Sequence, residues 1–231
     1  SGGLVGSEMC IRDRLKYGND KPDLRIPIEI SDVTDIFRGS DFTIFAKNIE
    51  NGAVVRAIPG PKCGSRAVAD RMNSWAQSEG APGLGYIIYS SEEAKGPVAK
   101  ALGQDKSNLI KSKLNLNDGD AVFFACASDK DASALAGRAR VRIGTEQNLI
   151  DKSIFKFCWI VDFPMFEKDE ITGKIEFSNN PFSMPQGGME ALNTQDPLEI
   201  KAWQYDLVCN GIELSSGAIR NHLPEVMYSR F

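Results

Sequence analysis

Short apolar runs separated by turn residues recur between residues 33 and 144 and predict an alternating series of strands and helices. The runs rich in branched and aromatic residues are typical of β-strands: Phe42–Ala46, Ala53–Ile58, Leu84–Ser90 and Ala121–Ala127. Helices are predicted over Ser65–Ser78, Asp105–Leu114 and Asp131–Gly144, with Ser65 and Asp131 as N-caps. We expect this ββαβαβα series to form one compact, two-layer α/β core.

Apolar spacing within two of these helices predicts the sides that face the core. Val68, Met72 and Trp75 recur at i, i+4 and i+7 and share one side of the first helix. The residues expected to point inward from the second are Leu109, Ile110 and Leu114. In the third helix, arginines stand at every second position, 138, 140 and 142. That spacing spreads them around the helix, so a solvated face is the preferred interpretation and a contact with a nucleic-acid backbone the alternative.

The pattern changes after residue 146. Every second residue is apolar along a nine-residue stretch, which predicts a long strand with one aromatic face buried: Phe155, Phe157, Trp159, Val161 and Phe163. Further on, Ala202–Cys209 and Ile212–Arg220 flank the dipeptide Asn210-Gly211. Asn-Gly favours a type I′ turn because both positions need a positive φ. The two runs are therefore predicted to form an antiparallel hairpin.

Composition narrows the classes of function. The chain has 231 residues, 27 Lys+Arg against 31 Asp+Glu, and a formal net charge of −4. This mild acidity argues against nucleic-acid binding through bulk charge, and no apolar run approaches the roughly 18 residues that cross a bilayer. The single histidine, His222, excludes an H-E-x-x-H metal site and argues against a Ser-His-Asp triad. Five widely spaced cysteines without a C-x-x-C pair favour a reducing, cytoplasmic setting.

The outgoing strand of the predicted hairpin has an unusual centre. Four small residues, Ser215-Ser216-Gly217-Ala218, stand between Glu213 and Arg220 and leave space for a ligand against the backbone. An arginine can grip a carboxylate with two parallel hydrogen bonds, and a glutamate can hold a divalent cation or a ribose hydroxyl. An exposed edge strand with two surface charges is the alternative. Because the two residues are seven apart, they share a face only if the strand bulges between them.

Three long strings resemble segments of bacterial aspartyl-tRNA synthetases, in the same order. They are KYGNDKPDLR at Lys16–Arg25, FCWIVDFPMFE at Phe157–Glu167 and YDLVCNGIELSSGAIR at Tyr205–Arg220. The region between the first two resembles the insertion (GAD) domain that these enzymes share with a subunit of the tRNA-dependent amidotransferase. The similarity covers residues 15–231.

The resemblance implies an α+β fold, in which part of the class II antiparallel sheet is interrupted by the inserted domain. It also implies a ligase that activates L-aspartate with ATP and Mg²⁺ to aspartyl-adenylate and transfers the aspartyl group to the 3′ end of tRNA. By position, Arg220 matches the arginine that holds the substrate carboxylate, and Glu213 matches an acid at the ATP and metal site. Asn179 stands where the family has a histidine that contacts aspartate. A cytoplasmic homodimer is typical of the full-length family.

The resemblance also divides the chain. Residues 15–32 and 147–231 correspond to catalytic-core segments and residues 33–146 to the insertion domain, whereas residues 1–14 match nothing in the family and are interpreted as a non-native leader. The ATP-binding arginines of motifs 2 and 3 are expected outside this sequence. A non-catalytic tRNA-binding or interaction module, similar to the amidotransferase insertion, is the rival interpretation. It has no use for a hairpin that carries Glu213 and Arg220.

Because much of the nucleotide-binding machinery is expected elsewhere, we predict that this chain alone is inactive. Aspartate-dependent exchange of pyrophosphate into ATP should be undetectable with the purified 231-residue protein. Measurable exchange would contradict the assignment of the missing arginines.

Overall fold

The computed structural model describes residues 4–91, 93–169, 172–178 and 180–228, and for residues 4–13 it describes the backbone alone. The chain divides into two compact units. The hairpin unit comprises the described residues of Ser1–Asp13, Asp20–Leu24 and Ile154–Phe231. The five-stranded unit comprises Arg14–Asn19 and the described residues of Arg25–Ser153.

The strands of the described residues, numbered in chain order, are β1 (Leu4–Met9), β2 (Ser31–Asp32), β3 (Val54–Gly60), β4 (Gly85–Tyr89), β5 (Ala94–Lys95), β6 (Ala121–Ala127), β7 (Phe157–Val161), β8 (Phe163–Pro164), β9 (Phe166–Lys168), β10 (Ile175–Phe177), β11 (Lys201–Ala202), β12 (Gln204–Cys209) and β13 (Ile212–Ala218). The helices are α1 (Cys10–Tyr17), α2 (Thr34–Phe37), α3 (Thr43–Glu50), α4 (Arg66–Ser78), α5 (Pro97–Lys113), α6 (Asp129–Glu146), α7 (Gly188–Thr194) and α8 (Pro224–Tyr228), with a 3₁₀ turn at Pro197–Glu199. The fold is thus a mixture of helices and largely antiparallel sheet.

The five-stranded unit is built on an antiparallel sheet with strand order β2-β3-β6-β4-β5. Its central strand, β6, is buried on both faces. Successive side chains of β6 point to opposite faces, so apolar packing partners are needed on both sides of the sheet. One face packs against α4 and α6 through residues such as Met72, Phe123 and Ile143. The other packs against α2, α3 and α5 through residues such as Phe37 and Phe124. The unit therefore has three layers.

Two sequence predictions about this unit are wrong. Phe42–Ala46 is not a strand, because residues from Thr43 onward form α3, which buries Phe45 and Ile49 against the sheet. The two-layer arrangement is wrong for the same reason: the segment taken as a strand supplies part of a helical layer on the second face. A five-residue apolar run fits either structure, and as a helix it covers the second face of the sheet.

Helix boundaries show which local signals are reliable. The Ser65 N-cap is confirmed, since its side-chain oxygen accepts a hydrogen bond from the Val68 amide. For α6 the predicted cap, Asp131, is wrong: the cap is Ser128, and the Asp131 amide donates to it. In α5, which bends at a non-helical Gly103, Ile110 is buried as predicted but Leu109 is exposed.

The three alternating arginines of α6 have different environments. Arg138 and Arg142 pair with surface glutamates, Glu79 and Glu146. Arg140 instead is 0% exposed, so the solvated-face interpretation is wrong for this residue. Residues two apart on a helix point about 200° apart, which turns Arg140 toward the interior while its neighbours face outward.

Arg140 fastens the segment before β2 to α6. Its Nε donates to the Ile28 carbonyl at 2.6 Å and a terminal nitrogen donates to the Ile26 carbonyl at 2.8 Å. The guanidinium carbon lies 4.9 Å from the centroid of the Tyr17 ring. Buried carbonyls need donors, and a delocalised cation over an aromatic face supplies them at low desolvation cost.

Arg140→Ala should lower the free energy of unfolding by about 3 kcal/mol, because it leaves a cavity and two buried carbonyls without their donors. Urea titration at pH 7 measures the change. Arg138→Ala is the matched control on the same helix and should change stability by no more than about 0.5 kcal/mol. Equal effects of the two substitutions would contradict the role given to Arg140.

The hairpin unit contains a sheet with strand order β1-β7-β12-β13, in which β1 runs parallel to β7 and the other pairs are antiparallel. The predicted hairpin is confirmed, with positive φ of 52° at Asn210 and 83° at Gly211. The Asn210 side chain also accepts a hydrogen bond from the Lys156 amide. Asn210 therefore forms part of the turn that joins β12 to β13 and also binds the residue that precedes β7.

The buried face of β7 is the opposite of the predicted one. Cys158 and Ile160 are buried, whereas Phe155 is 61% exposed. Asp162 has a φ of 59°, which ends β7 and returns Phe163 to the buried side. A small core results, in which these residues pack with Val208 of β12. The aromatic alternation therefore spans two strands rather than one.

None of the helices among the described residues is long and apolar enough to span a membrane.

Candidate functional site

The β12–β13 ladder contains one extra residue on the outgoing strand. Glu213 lies opposite Val208 and Ser215 lies opposite Leu207, so Leu214 is inserted between two successive pairs. A bulge of this kind shifts the alternation of side chains by one position. The bulge that a shared face for Glu213 and Arg220 requires is therefore present. It lies at Leu214, directly before the small-residue stretch Ser215–Ala218.

The bulge brings two acids to one face of the hairpin. Directly paired residues of neighbouring strands point to the same face, and Asp206 is paired with Ser216 just as Val208 is paired with Glu213. Asp206 and Val208 are two apart on an unbroken strand and also share a face. Asp206, Glu213 and Ser216 therefore line the same side, where a regular β13 would have placed Glu213 with Ser215.

Glu213 is partly buried and paired with a lysine from the KYGNDKPDLR segment. The Lys21 ammonium nitrogen lies 2.8 Å from Glu213 Oε2, with side-chain exposures of 47% and 31%. The hydrogen bond to Glu213 raises the pKa of Lys21 above its ordinary value. At neutral pH the pair is an ion pair at the edge of solvent.

Asp206 is the most enclosed acid of this face, at 7% exposure. Burial raises the pKa of its carboxyl and the charge of Glu213 raises it further, whereas a hydrogen bond with Ser216 and the charge of Lys21 lower it. Its Oδ1 atom is buried and has no hydrogen-bond partner. A buried carboxylate oxygen without a donor is costly unless a water molecule or a bound ligand completes it.

The two acids suit a divalent cation of the Mg²⁺ type. Mg²⁺ is typically held by one or two carboxylates while it keeps several waters, so a larger protein cage is not needed. Across the described part of the chain, no group of three or more His, Cys, Asp or Glu side chains converges. Asp206 supplies an oxygen that lacks a partner, and the Lys21 ammonium already stands beside Glu213 as a cation.

Arg220 lies two residues beyond β13, on backbone held by the segment before α7. Asn221 N donates to the Phe182 carbonyl at 2.8 Å, and Arg220 forms an antiparallel bridge with Ser183. The guanidinium carbon lies 5.3 Å from the centroid of the Phe182 ring. The arginine is exposed, so its hydrogen-bonding groups face solvent while an aromatic ring supports its flat face.

The structure does not bring Glu213 and Arg220 into contact. The ladder of β13 ends at Ala218, so Arg220 lies outside the strand whose alternation places Glu213. At about 3.3 Å per residue their Cα atoms stand roughly 20 Å apart. They can hold opposite ends of an extended ligand, but not one group together.

The other sequence candidates are peripheral or outside the described residues. Asn179, predicted to contact aspartate, lies outside them. His222 is exposed, with Nδ1 3.4 Å from the Arg220 carbonyl oxygen. Sequence reasoning gave no site role to Lys21, Asp206 or Phe182. The available signal was that Lys21 and Asp206 are charged residues inside the strings that carry the family resemblance.

Comparison with known proteins shows the family to which this chain belongs. The family model for class II tRNA synthetases (D, K and N) matches residues 7–231. An aspartate–tRNA(Asp/Asn) ligase of Acidiphilium cryptum is 58% identical over 219 residues, which cover 94% of this chain and 37% of the relative. The ligase of the same name from Rickettsia felis is 59% identical, with coverage of 94% and 37%.

A third relative of that name, from Paramagnetospirillum magneticum, is 59% identical over 94% of this chain and 25% of its own length. The chain thus spans between about a quarter and somewhat over a third of the curated relatives it matches. Because the family match covers nearly all of the sequence, this protein belongs to the class II tRNA synthetases of the D, K and N group.

Proposed function

We propose that this chain is part of an aspartate–tRNA ligase, which activates L-aspartate with ATP and transfers the aspartyl group to the 3′ end of tRNA. The observation that carries the proposal is the bulged β13, which gives one face of the hairpin two acids, Asp206 and Glu213, with the exposed Arg220 two residues beyond the strand. The relatives' names suggest the tRNAs for aspartate and asparagine as acceptors.

Arg220 is the proposed contact for the side-chain carboxylate of the amino acid. A guanidinium offers two parallel donors to a carboxylate, whereas the amide of asparagine would turn an NH₂ donor toward those donors. The Phe182 ring on one side of Arg220 limits the directions in which the guanidinium can point. Selection of aspartate over asparagine is therefore proposed to depend on the direction of this one side chain. Asn179 remains a proposed second contact, in place of the family's histidine.

Asp206 and Glu213 are the proposed holders of the Mg²⁺ that accompanies ATP. When bound, this cation neutralises phosphate charge during the attack of the amino-acid carboxylate on the α-phosphorus and the departure of pyrophosphate. The chain's own contribution is to fix the two carboxylates by strand pairing, so that little reorganisation is needed on binding.

The remaining domain assignments are proposals on the same basis. Residues 33–146, which lie within the five-stranded unit, are the proposed insertion domain, and residues 15–32 and 147–231 are proposed catalytic-core segments. The family match begins at residue 7, so the expectation that residues 1–14 match nothing in the family does not hold for residues 7–14. A cytoplasmic homodimer is the proposed setting of the intact enzyme. A non-catalytic module explains the five-stranded unit equally well, but it gives no reason for the buried, incompletely bonded acid on β12.

The test of Arg220 uses a full-length relative in which residues 15–228 of this chain replace their counterpart. Arg220→Lys keeps the charge but removes the bidentate geometry, so we expect kcat/KM for aspartate to fall about 100-fold with ATP affinity nearly unchanged. Pyrophosphate exchange at varied aspartate measures this.

The matched control in that chimera is Arg138→Lys, which changes an arginine of similar charge in the five-stranded unit and should leave the exchange rate unaltered. Unchanged aspartate kinetics in Arg220→Lys would refute the carboxylate contact and favour the non-catalytic module.

A second prediction concerns stability. The raised pKa of Asp206 means that the folded protein disfavours its ionised form, so at pH 7 this carboxylate lowers the stability of the fold. Asp206→Asn should therefore raise the free energy of unfolding at pH 7 while it weakens cation binding, as expected of a residue retained for function. Urea titration without divalent cations measures the first effect. A loss of stability would indicate a structural role instead.

A further inference from the structure

The position of Lys21 raises a question that the proposed function leaves open. Its ammonium group lies where a cation bound by Glu213 would also lie, 2.8 Å from Oε2. A positively charged side chain and a divalent cation repel each other strongly at such short range. Both cannot occupy this position at the same time.

The backbone that carries Lys21 is fixed to the hairpin unit. Leu24 packs partly buried against the core of β7 and β12, and the Lys156 ammonium donates to the Leu24 carbonyl at 3.1 Å. At the other end, the backbone of Lys21 and Asp23 approaches the Gly211 turn so closely that a Cβ there would lie 3.4 Å from Asp23 Cβ. Pro22 is buried between these contacts. Because these contacts hold the backbone on either side of Lys21, displacement of its ammonium group would come from rotation of the side chain.

The charges around this lysine explain why a cation is needed before any metal arrives. Asp206 and Glu213 point to the same face, and the negative charges of Asp20, Asp206 and Glu213 all act on Lys21. Two carboxylates on one face repel each other unless a positive charge lies near them. The half-exposed lysine supplies that charge without being locked in the interior.

We propose that Lys21 is the resident cation of the Asp206–Glu213 pair, and that an arriving divalent cation displaces its ammonium group by rotation of the side chain. The inference rests on the proposed cation role of these acids. It makes Lys21 a determinant of cation affinity: each binding event exchanges one positive charge for another, which weakens the net affinity and keeps the acids ordered in the empty site.

Cation titration of the 231-residue chain tests the exchange. Mn²⁺ replaces Mg²⁺ because the electron paramagnetic resonance signal of free Mn²⁺ reports binding directly. Lys21→Met should bind Mn²⁺ about tenfold more tightly, since the competing charge is removed. Lys21→Arg should stay within about twofold of the parent, because the charge is kept. Lys16→Met is the matched control, since Lys16 forms a 2.8 Å pair with Glu29 in the five-stranded unit, and it should leave Mn²⁺ affinity unchanged.

Glu213→Gln and Asp206→Asn separate this inference from the proposed function. Both should weaken Mn²⁺ binding about tenfold or more. If they do so while Lys21→Met binds no more tightly than the parent, the displacement is refuted and the cation site stands. If neither acid substitution weakens binding, the proposed cation site itself is refuted, and the role of Lys21 with it.

Unfolding measurements give a second, independent readout. In the presence of a chelator, Lys21→Met should unfold at a lower urea concentration than the parent, because the two acids lose their counter-ion. Saturating Mn²⁺ should close that difference, since the same cation then occupies both proteins. A difference that persists in Mn²⁺ would show that Lys21 serves the fold alone and would overturn the proposal.

Discussion

The insertion of Leu214 into β13 is the feature on which the proposed site of this protein depends. In a regular strand the direction of each side chain is fixed by its position, so Glu213 would point away from Asp206 and Ser216. One additional residue reverses that relationship for everything that follows it on the strand. The bulge is held from both sides, by the Asn210-Gly211 turn before it and by the backbone bonds of residues 219–221 after it.

The two acids on the β12–β13 hairpin lower the stability of the fold. Asp206 is enclosed, its neighbour Glu213 carries the same charge, and one of its oxygens has no hydrogen-bond donor. Folding alone would favour an apolar or amide side chain at that position. The lysine at Glu213 offsets part of the repulsion, and the proposed exchange with a metal ion would make this compensation reversible.

The five-stranded unit is stabilised in another way. Its sheet is covered by helices on both faces, and the charges that it buries are arginines with defined partners. Arg140 donates to two carbonyls of the segment before β2, and Arg56 pairs with Asp32 and Asp129. These contacts supply donors to the two carbonyls and to the two carboxylates, and they tie distant segments of the unit together.

The sequence by itself determined the features that depend on a few neighbouring residues. The Asn210-Gly211 turn, the Ser65 cap and the strands β3, β4 and β6 follow from local preferences for turns, caps and extended runs, and the long family strings identified the class II synthetase family. Tertiary structure decided what depends on partners distant in the chain. Phe42–Ala46 is apolar enough for either structure, and it became helical because the sheet needed a cover on its second face. Arg140 looked like a surface residue until the Ile26 and Ile28 carbonyls were placed beside it. Likewise, Lys21 lies almost 200 positions before the two acids that it approaches, Asp206 and Glu213. The register of β12 against β13 brings those acids to one face, and that register is set by strand pairing rather than by a local pattern.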